Sequence, residues 1–152
     1  MVPAGGLLVE LGVAGGRHAV QLLKRHDTLR YLGIDAWEVR PHDMKLAMRR
    51  LRPFAERVTL RRCLFSEATQ DVCNADLVYV DGFAHTGQDG GATLREWWPM
   101  VRPGGIMAGH DYDPVWPLTV KAVDEWAAHV GCPVHIIPDR PYPTWWLRKP
   151  VP

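Results

Sequence analysis

Apolar stretches of strand length alternate along this chain with segments of helical period. The stretches that predict strands are residues 7–11, 31–34, 57–60, 77–80, 106–108, 134–137 and 144–147. A helix is predicted over 17–26, and apolar residues recur at helical spacing at Met44, Ala47, Met48 and Leu51, at Leu94, Trp97, Trp98 and Val101, and at Val123, Trp126, Ala127 and Val130. The alternation predicts an α/β fold with a mostly parallel seven-stranded sheet and helices on both faces.

Three local signals predict where helices begin and end. Ser66 is a residue type that caps helix N-termini, so it predicts the start of a short helical turn. Gly131 stands where a left-handed residue would end the last helix. The Arg-Pro-Gly-Gly sequence at 102–105 predicts a turn between a helix and the fifth strand.

The length and composition are those of one globular domain. The chain has 152 residues and a hydrophobic fraction of 47%, which is enough for a packed core. With 18 basic and 17 acidic residues the net charge is +1, so no global field attracts nucleic acid or an anionic membrane, and we expect a small-molecule substrate. The N-terminus carries no charged and apolar leader, and no apolar run is long enough for a membrane span. We therefore expect a cytoplasmic protein.

Polar residues follow the predicted strands at the points where the strands end. Because parallel strands share one carboxyl edge, these residues are expected to meet at a ligand site where the strand order reverses. They are Glu10 and Gly12 after the first strand, Asp35 after the second, Ser66 near the third, Asp81 after the fourth, and His110 with Asp111 after the fifth.

The loop after the first strand does not fit a dinucleotide-binding fingerprint. Counted from Gly12, the GxGxxG pattern would require glycine where Ala14 and Arg17 stand. The spacing that fits is ExGxxxG, formed by Glu10, Gly12 and Gly16. Together with Asp35, which can accept both hydroxyls of a ribose, this loop favours S-adenosylmethionine as the ligand. The alternative is a glycine turn that only tightens the packing of strand against helix.

At this point the second half of the chain resembles a known family. The segments ADLVYVDGFAH, LREWWPMVRPGG and IMAGHDY are similar to class I S-adenosylmethionine methyltransferases, most of all to small bacterial O-methyltransferases related to macrocin O-methyltransferase and to predicted sugar and natural-product methyltransferases. The resemblance implies a Rossmann-like fold with strand order 3-2-1-4-5-7-6. It also implies that residues 1–152 form a single S-adenosylmethionine-binding domain.

The residues expected to bind the cofactor lie at the ends of the first four strands. The resemblance implies that Glu10, Gly12 and Gly16 hold its amino acid end, Asp35 its ribose, and that Ser66 lies near the adenine. Trp37 directly follows the second strand and can lie over the adenine. The full predicted set is Glu10, Gly12, Gly16, Asp35, Trp37, Ser66 and Asp81.

The residues expected to carry the chemistry follow the fourth and fifth strands. His85 or Asp111 is the predicted base for a hydroxyl proton, and Asp81 orients the imidazole or shares a cation. The resemblance implies Asp81 and Asp111 as metal carboxylates, with His110 at the position of the first acid of an Asp-Asp pair. Mg²⁺ is therefore a candidate cation. The family's loop usually carries a further acid and an aromatic ring that this chain lacks, and two firm carboxylates are few for so hard an ion.

The function predicted from these residues is O-methylation of a small hydroxylated metabolite, with Trp116 on the acceptor side. Helices that often cover the substrate in this superfamily are missing here, so the resemblance suggests a pocket that is either open or completed by a partner subunit, as in a homo-oligomer. Two alternatives stay open. One is a catalytically silent binding or scaffold subunit, and the other is a nicotinamide-binding oxidoreductase.

Overall fold

The computed structural model describes residues 2–82, 87–138 and 141–152 of the protein. Its strands are β1 (Leu7–Leu11), β2 (Arg30–Asp35), β3 (Val58–Arg62), β4 (Ala75–Val80), β5 (Val101–Gly109), β6 (His135–Ile137) and β7 (Thr144–Arg148). Its helices are α1 (Arg17–Arg25), α2 (Pro41–Leu51), α3 (Phe65–Ala68), α4 (Ala92–Trp97) and α5 (Pro117–Val130). Short 3-10 turns cover Arg52–Arg57, Thr69–Asp71 and Trp98–Met100.

The seven strands form one sheet in the order β3-β2-β1-β4-β5-β7-β6, which confirms the predicted topology. Neighbouring strands from β3 to β5 pair in parallel, and β7 is antiparallel to both β5 and β6. The order reverses at β1, where Glu10 stands in register with Gly33 of β2 and Tyr79 of β4. Ligands of such sheets bind beside this switch point, at the carboxyl ends of the strands.

Helices cover both faces of the sheet because successive side chains of a strand point to opposite sides. On one face, Leu8 of β1 belongs to a buried cluster with Leu23 of α1 and Leu51 of α2. On the other face, Val9 of β1 belongs to a larger cluster with residues of α4 and α5 such as Trp97. The near-continuous apolar sequence of β1 is therefore explained by burial on both sides.

The helical stripe from Leu94 to Val101 was predicted too long. Pro99 follows α4 and has no N–H to continue the helix, so the chain passes through a 3-10 turn and enters β5 at Val101. Val101 therefore pairs with Ala75 of β4 and does not extend the helix. The predicted turn at 102–105 lies inside β5 as a register shift, where Gly104 adopts φ +73°.

The two helix-end predictions have different outcomes. Gly131 does end α5 in a left-handed conformation, with φ +66°. Ser66 is not an N-cap, because it lies inside α3 and the cap position is Leu64. The backbone N–H of Leu64 donates to the side chain of Glu67 at 2.9 Å, which supplies the cap from inside the helix. Among the described residues, no helix is long and apolar enough to cross a membrane.

Candidate active site

A cavity of about 520 Å³ opens at the carboxyl ends of β1 to β4, beside the switch point of the sheet. Pockets for small-molecule ligands typically enclose roughly 300–1,000 Å³, so its size suits a nucleoside-containing cofactor. Its lining residues are Gly12, Ala14, Asp35, Ala36, Trp37, Glu38, Val39, Arg40, Asp43, Cys63, Leu64, Phe65, Asp81 and Gly82.

Gly12 lets the backbones of β1 and β4 approach each other at the mouth of this cavity. A Cβ at Gly12 would lie 2.4 Å from the carbonyl oxygen of Asp81 and 2.5 Å from Gly82 Cα. The residue also adopts φ +97°, a conformation that favours glycine. The backbone N–H of Asp81 donates to the carbonyl of Leu11 at 2.8 Å and closes the contact. A side chain at position 12 is therefore excluded by the chain itself.

The loop that follows is held by residues of β2 and α2. The N–H of Ala14 donates to Asp35 Oδ2 at 2.8 Å, and the Ala14 carbonyl accepts from the Trp37 indole at 2.9 Å. The guanidinium of Arg50 donates to the Gly15 carbonyl at 2.7 Å. These bonds hold Ala14 at φ +44°, an uncommon conformation for alanine. The loop is therefore shaped before any ligand arrives.

Asp35 is half-buried and faces the cavity with acceptor capacity to spare. Its two oxygens accept from the backbone N–H groups of Ala14, at 2.8 Å, and of Trp37, at 2.7 Å. A carboxylate offers about four lone-pair sites, so hydroxyl donors of a ligand can still be accommodated. Trp37 lines the cavity but is only 3% exposed, since its ring packs with Val13 and Ala47. The indole contributes to the cavity wall, and stacking on adenine stays a prediction.

Glu10 is not among the residues that line the cavity. It is 1% exposed, and each of its oxygens already has a partner. The Nδ1–H of His18 donates to Oε1 at 2.7 Å, and the Tyr31 hydroxyl donates to Oε2. Burial raises the pKa of Tyr31 well above its ordinary value, and the charge of Glu10 adds to this rise. A direct bond from Glu10 to a ligand ammonium would require a change of partner.

His18 contacts this site but was not singled out by the sequence analysis. Its side chain is 37% exposed, and its ring lies 4.5 Å from that of Tyr79. It therefore connects buried Glu10 with more accessible surface. The available signal was its position in the first turn of the helix after the glycine loop.

Like Glu10, the predicted cofactor residues Gly16 and Ser66 do not line the cavity. Gly16 is the N-cap residue before α1, and a Cβ there would lie 3.2 Å from Ala47 Cα, so the absence of a side chain lets the start of α1 pack against α2. A contact of Gly16 with the cofactor stays a prediction. Ser66 is exposed, whereas the preceding Leu64 and Phe65 line the cavity. A contact of Ser66 with adenine stays a prediction.

Asp81, His110 and Asp111 come together beside the cavity, as the strand-end pattern predicts. One potential ligand atom from each residue lies within 4.8 Å of the others. The Nδ1–H of His110 donates to Asp111 Oδ1 at 2.8 Å. Burial raises the pKa of Asp81 from 3.8 to about 7, with His110 opposing the rise and Glu10 and Asp111 adding to it. The predicted base His85 lies outside the described residues.

This donor set does not fit Mg²⁺ well. Mg²⁺ demands near-octahedral oxygen coordination, whereas the cluster offers two carboxylates and an imidazole nitrogen. A divalent transition metal accepts such a mixed set more readily.

An aromatic wall formed by Trp116 and Tyr142 borders the cluster at His110. The rings of Trp116 and Tyr142 meet edge to face with centroids 5.9 Å apart, and Tyr142 lies 6.3 Å from the ring of His110. The indole N–H of Trp116 is buried and has no hydrogen-bond partner among the residues that the structure describes. These contacts link Trp116 to His110 through the ring of Tyr142, and a role of Trp116 on the acceptor side stays a prediction.

Comparison with known proteins agrees with this geometry. A family described as a methyltransferase domain matches residues 9–112. No curated protein sequence matches the chain. Among solved structures, a protein from Corynebacterium glutamicum is 17% identical with a TM-score of 0.76, covering all of this chain and 76% of its own.

Two further structures are similar in fold. An S-adenosylmethionine-dependent O-methyltransferase from Thermotoga maritima is 19% identical with a TM-score of 0.70, over 99% of this chain and 62% of its own. A cofactor-bound protein from MTB is 15% identical with a TM-score of 0.76, over 94% of this chain and 72% of its own. With the family match spanning more than half of the residues, the chain belongs to the methyltransferase domain family and is a class I S-adenosylmethionine-dependent methyltransferase.

Proposed function

We propose that this protein methylates a hydroxyl oxygen of a small hydroxylated metabolite, such as a sugar or natural product. The observation that carries the proposal is the position of Asp81, which lines the cofactor cavity and also belongs to the cluster with His110 and Asp111. The cluster that would accept the hydroxyl proton therefore lies directly beside the cavity in which the methyl donor would bind. The O-methyltransferase from Thermotoga maritima, which shares the fold, supports the same reading.

In this proposal Asp35 accepts the ribose hydroxyls, and the side-chain-free backbone at Gly12 lies against the cofactor. Glu10 acts on the amino acid end through His18, because both Glu10 oxygens are engaged. Gly16 sets the path of the loop through its packing against α2, and Trp37 and Ser66 are assigned to the adenine side. Acidic residues at the cavity suit a ligand that carries a sulfonium and an ammonium.

The chemistry requires alignment and removal of one proton. When bound, S-adenosylmethionine supplies the methyl carbon; the acceptor oxygen bonds to it as the carbon–sulfur bond breaks, leaving S-adenosylhomocysteine. The hydroxyl proton passes to a carboxylate or imidazole at the strand ends, and we assign this role to Asp111 or His85, with Asp81 orienting the group. The aromatic wall at Trp116 would receive the flat face of a ring-shaped acceptor.

Two measurements test the proposal. Calorimetry with S-adenosylmethionine, S-adenosylhomocysteine and NAD should show binding of the first two only. Transfer of labelled methyl groups to a panel of sugars, phenols and other hydroxylated metabolites should then detect turnover. Tight NAD binding would instead support an oxidoreductase. Cofactor binding without turnover on any acceptor would support a silent subunit.

The residue assignments are tested separately at saturating cofactor. Asp111→Asn and His85→Ala should each lower methyl transfer, while Asp124→Asn should not, because that carboxylate only accepts a surface hydrogen bond from Tyr112. Full activity in both site variants would remove the assignment of the base.

A further inference from the structure

The two helices on one face of the sheet form a surface whose exposed charges are basic. α1 and α2 lie side by side there, since both pack on β1 and the start of α1 approaches Ala47 of α2 at Gly16. Six basic side chains on this surface, which we call the basic helix face, are exposed to solvent. They are Arg17, Lys24 and Arg25 of α1, Lys45 and Arg49 of α2, and Arg52 directly after α2.

No carboxylate of the two helices balances these charges. α1 contains no acidic residue, and α2 contains only Asp43, whose side chain is 13% exposed and lies 3.3 Å from His42. In the part of the chain that the structure describes, none of the six cations forms an ion pair or a side-chain hydrogen bond. A solvated helix face usually alternates both signs, because like charges four positions apart, as at Lys45 and Arg49, repel each other. The unbalanced charge therefore indicates an anionic partner.

The charge of the whole chain is divided in the same way. Residues 1–62, which include both helices, carry twelve basic and six acidic residues, a net charge of +6. Residues 63–152 carry six basic and eleven acidic residues, a net charge of −5. The overall charge of +1 is thus the sum of two opposite parts. A field of one sign around the basic helix face can attract and orient a partner of the opposite sign.

The side chains between the charges distinguish a protein partner from other polyanions. Neither helix contains Phe, Tyr or Trp, so there is no platform for stacking the bases of a single-stranded nucleic acid and no aromatic anchor for a membrane interface. Both helices lie flat on the sheet, whereas reading the base edges of a duplex requires an element that enters a groove. Met48 lies one turn from Lys45 and from Arg52 and is 56% exposed, and methionine is enriched in protein–protein interfaces.

We propose that the basic helix face binds an acidic amphipathic helix of a partner protein. Two helices packed side by side leave a shallow groove between them, and a third helix can lie along such a groove. Carboxylates on both sides of its apolar stripe would meet the cations of α1 and α2, while the stripe would cover Met48. None of the six cations lines the cofactor cavity. The interaction therefore goes beyond methyl transfer and does not depend on it.

Binding of the protein to defined probes is measured by fluorescence anisotropy. The main probe is a fluorescein-labelled helical peptide of about 20 residues with glutamates on both sides of a leucine stripe, and its control peptide has glutamine at every glutamate position. An RNA duplex of about 16 base pairs is the second probe, and phosphatidylserine vesicles are tested by cosedimentation. At about 0.15 M salt the acidic peptide should bind saturably and at least about tenfold more tightly than the glutamine peptide or the RNA duplex, and added salt should weaken its binding.

Two double variants with the same change in net charge test the location. Lys45→Glu/Arg49→Glu should weaken binding of the acidic peptide at least about tenfold, since two attractions become repulsions. Arg95→Glu/Lys121→Glu reverses two exposed cations of α4 and α5, on the other face of the sheet, and should change the affinity less than about twofold. Met48→Ala should weaken binding by about threefold, because part of an apolar contact is lost.

Circular dichroism and S-adenosylhomocysteine affinity, which should be unchanged in both double variants, report whether the fold is intact. If Lys45→Glu/Arg49→Glu lacks the wild-type spectrum, Lys45→Gln/Arg49→Gln takes its place, with weaker peptide binding as the required result. The proposal is overturned if the acidic peptide does not bind, if the glutamine peptide binds as tightly, or if the RNA duplex or the vesicles bind more tightly. Equal losses in both double variants would also overturn it, because binding would then follow net charge and not this surface.

Discussion

Gly12→Ala should be among the most destabilising single substitutions in this protein, because the new methyl group would meet backbone atoms that cannot rotate away. The Cβ would lie 2.4 Å from the Asp81 carbonyl oxygen and 2.5 Å from both the Cα and the nitrogen of Gly82. This steric clash can be relieved only if the ends of β1 and β4 move apart. That movement would lengthen the 2.8 Å hydrogen bond from the Asp81 N–H to the Leu11 carbonyl.

The expected magnitude follows from three costs. A side chain held at φ +97° costs about 1–3 kcal/mol. Overpacking costs a further ~1–3 kcal/mol, and a weakened buried hydrogen bond about 1 kcal/mol. We therefore expect the free energy of unfolding to fall by about 3–7 kcal/mol, a large part of the 5–15 kcal/mol that is typical of whole domains.

The matched control is Gly131→Ala at the end of α5. Gly131 has φ +66° and nothing within 4 Å of a built Cβ, so the substitution introduces backbone strain without a collision. It should cost about 1–2 kcal/mol. Urea unfolding followed by tryptophan fluorescence, with linear extrapolation, measures both variants. Equal losses in the two variants would refute the close approach of β1 and β4 at Gly12.

Three further predictions concern the site. Asp81 has a pKa raised from 3.8 to about 7, so its contribution to stability is present below pH 4 and is lost as pH rises through 7. The free energy of unfolding of the wild type should therefore decline by up to about 4 kcal/mol over that range in chelator-containing buffer, and Asp81→Asn should remove this decline. Tyr31→Phe removes a donor to the buried Glu10 carboxylate and should lower the free energy of urea unfolding by about 1–3 kcal/mol. Trp37→Phe removes the donor to the Ala14 carbonyl and should weaken S-adenosylhomocysteine binding by about fivefold in calorimetry.

Each of these predictions has a control or a contrary outcome. A stability difference between wild type and Asp81→Asn that does not change with pH would contradict the raised pKa. Tyr112→Phe, which removes only a more exposed hydroxyl bond to Asp124, should cost less than Tyr31→Phe. Trp126→Phe removes an indole N–H that has no hydrogen-bond partner in the described part of the chain, so it should leave cofactor affinity unchanged. Equal losses in both tryptophan variants would rule out a specific role for the bond from Trp37 to Ala14.

The local pattern of the sequence was sufficient to predict the order of the elements and the meeting of polar residues at one sheet edge. Hydrophobic periodicity is a short-range property, so the positions of β1 and its neighbours follow from it. Parallel strands share their carboxyl edge, and this is why Asp35 and Asp81 could be placed at one site before the structure was known. The end of α4 could not be predicted in the same way, because an apolar residue such as Val101 suits a helix stripe and a buried strand equally well.

Tertiary structure alone decided which of these residues face a ligand. Glu10 and Asp35 end adjacent strands and look equivalent in the sequence, but Glu10 is enclosed by His18 and Tyr31, whereas Asp35 opens into the cavity. Likewise, the role of Gly16 depends on the distance to α2, thirty residues further along the chain. Burial, hydrogen-bond partners and steric contacts are set by side chains that meet only after folding, and no local periodicity encodes them.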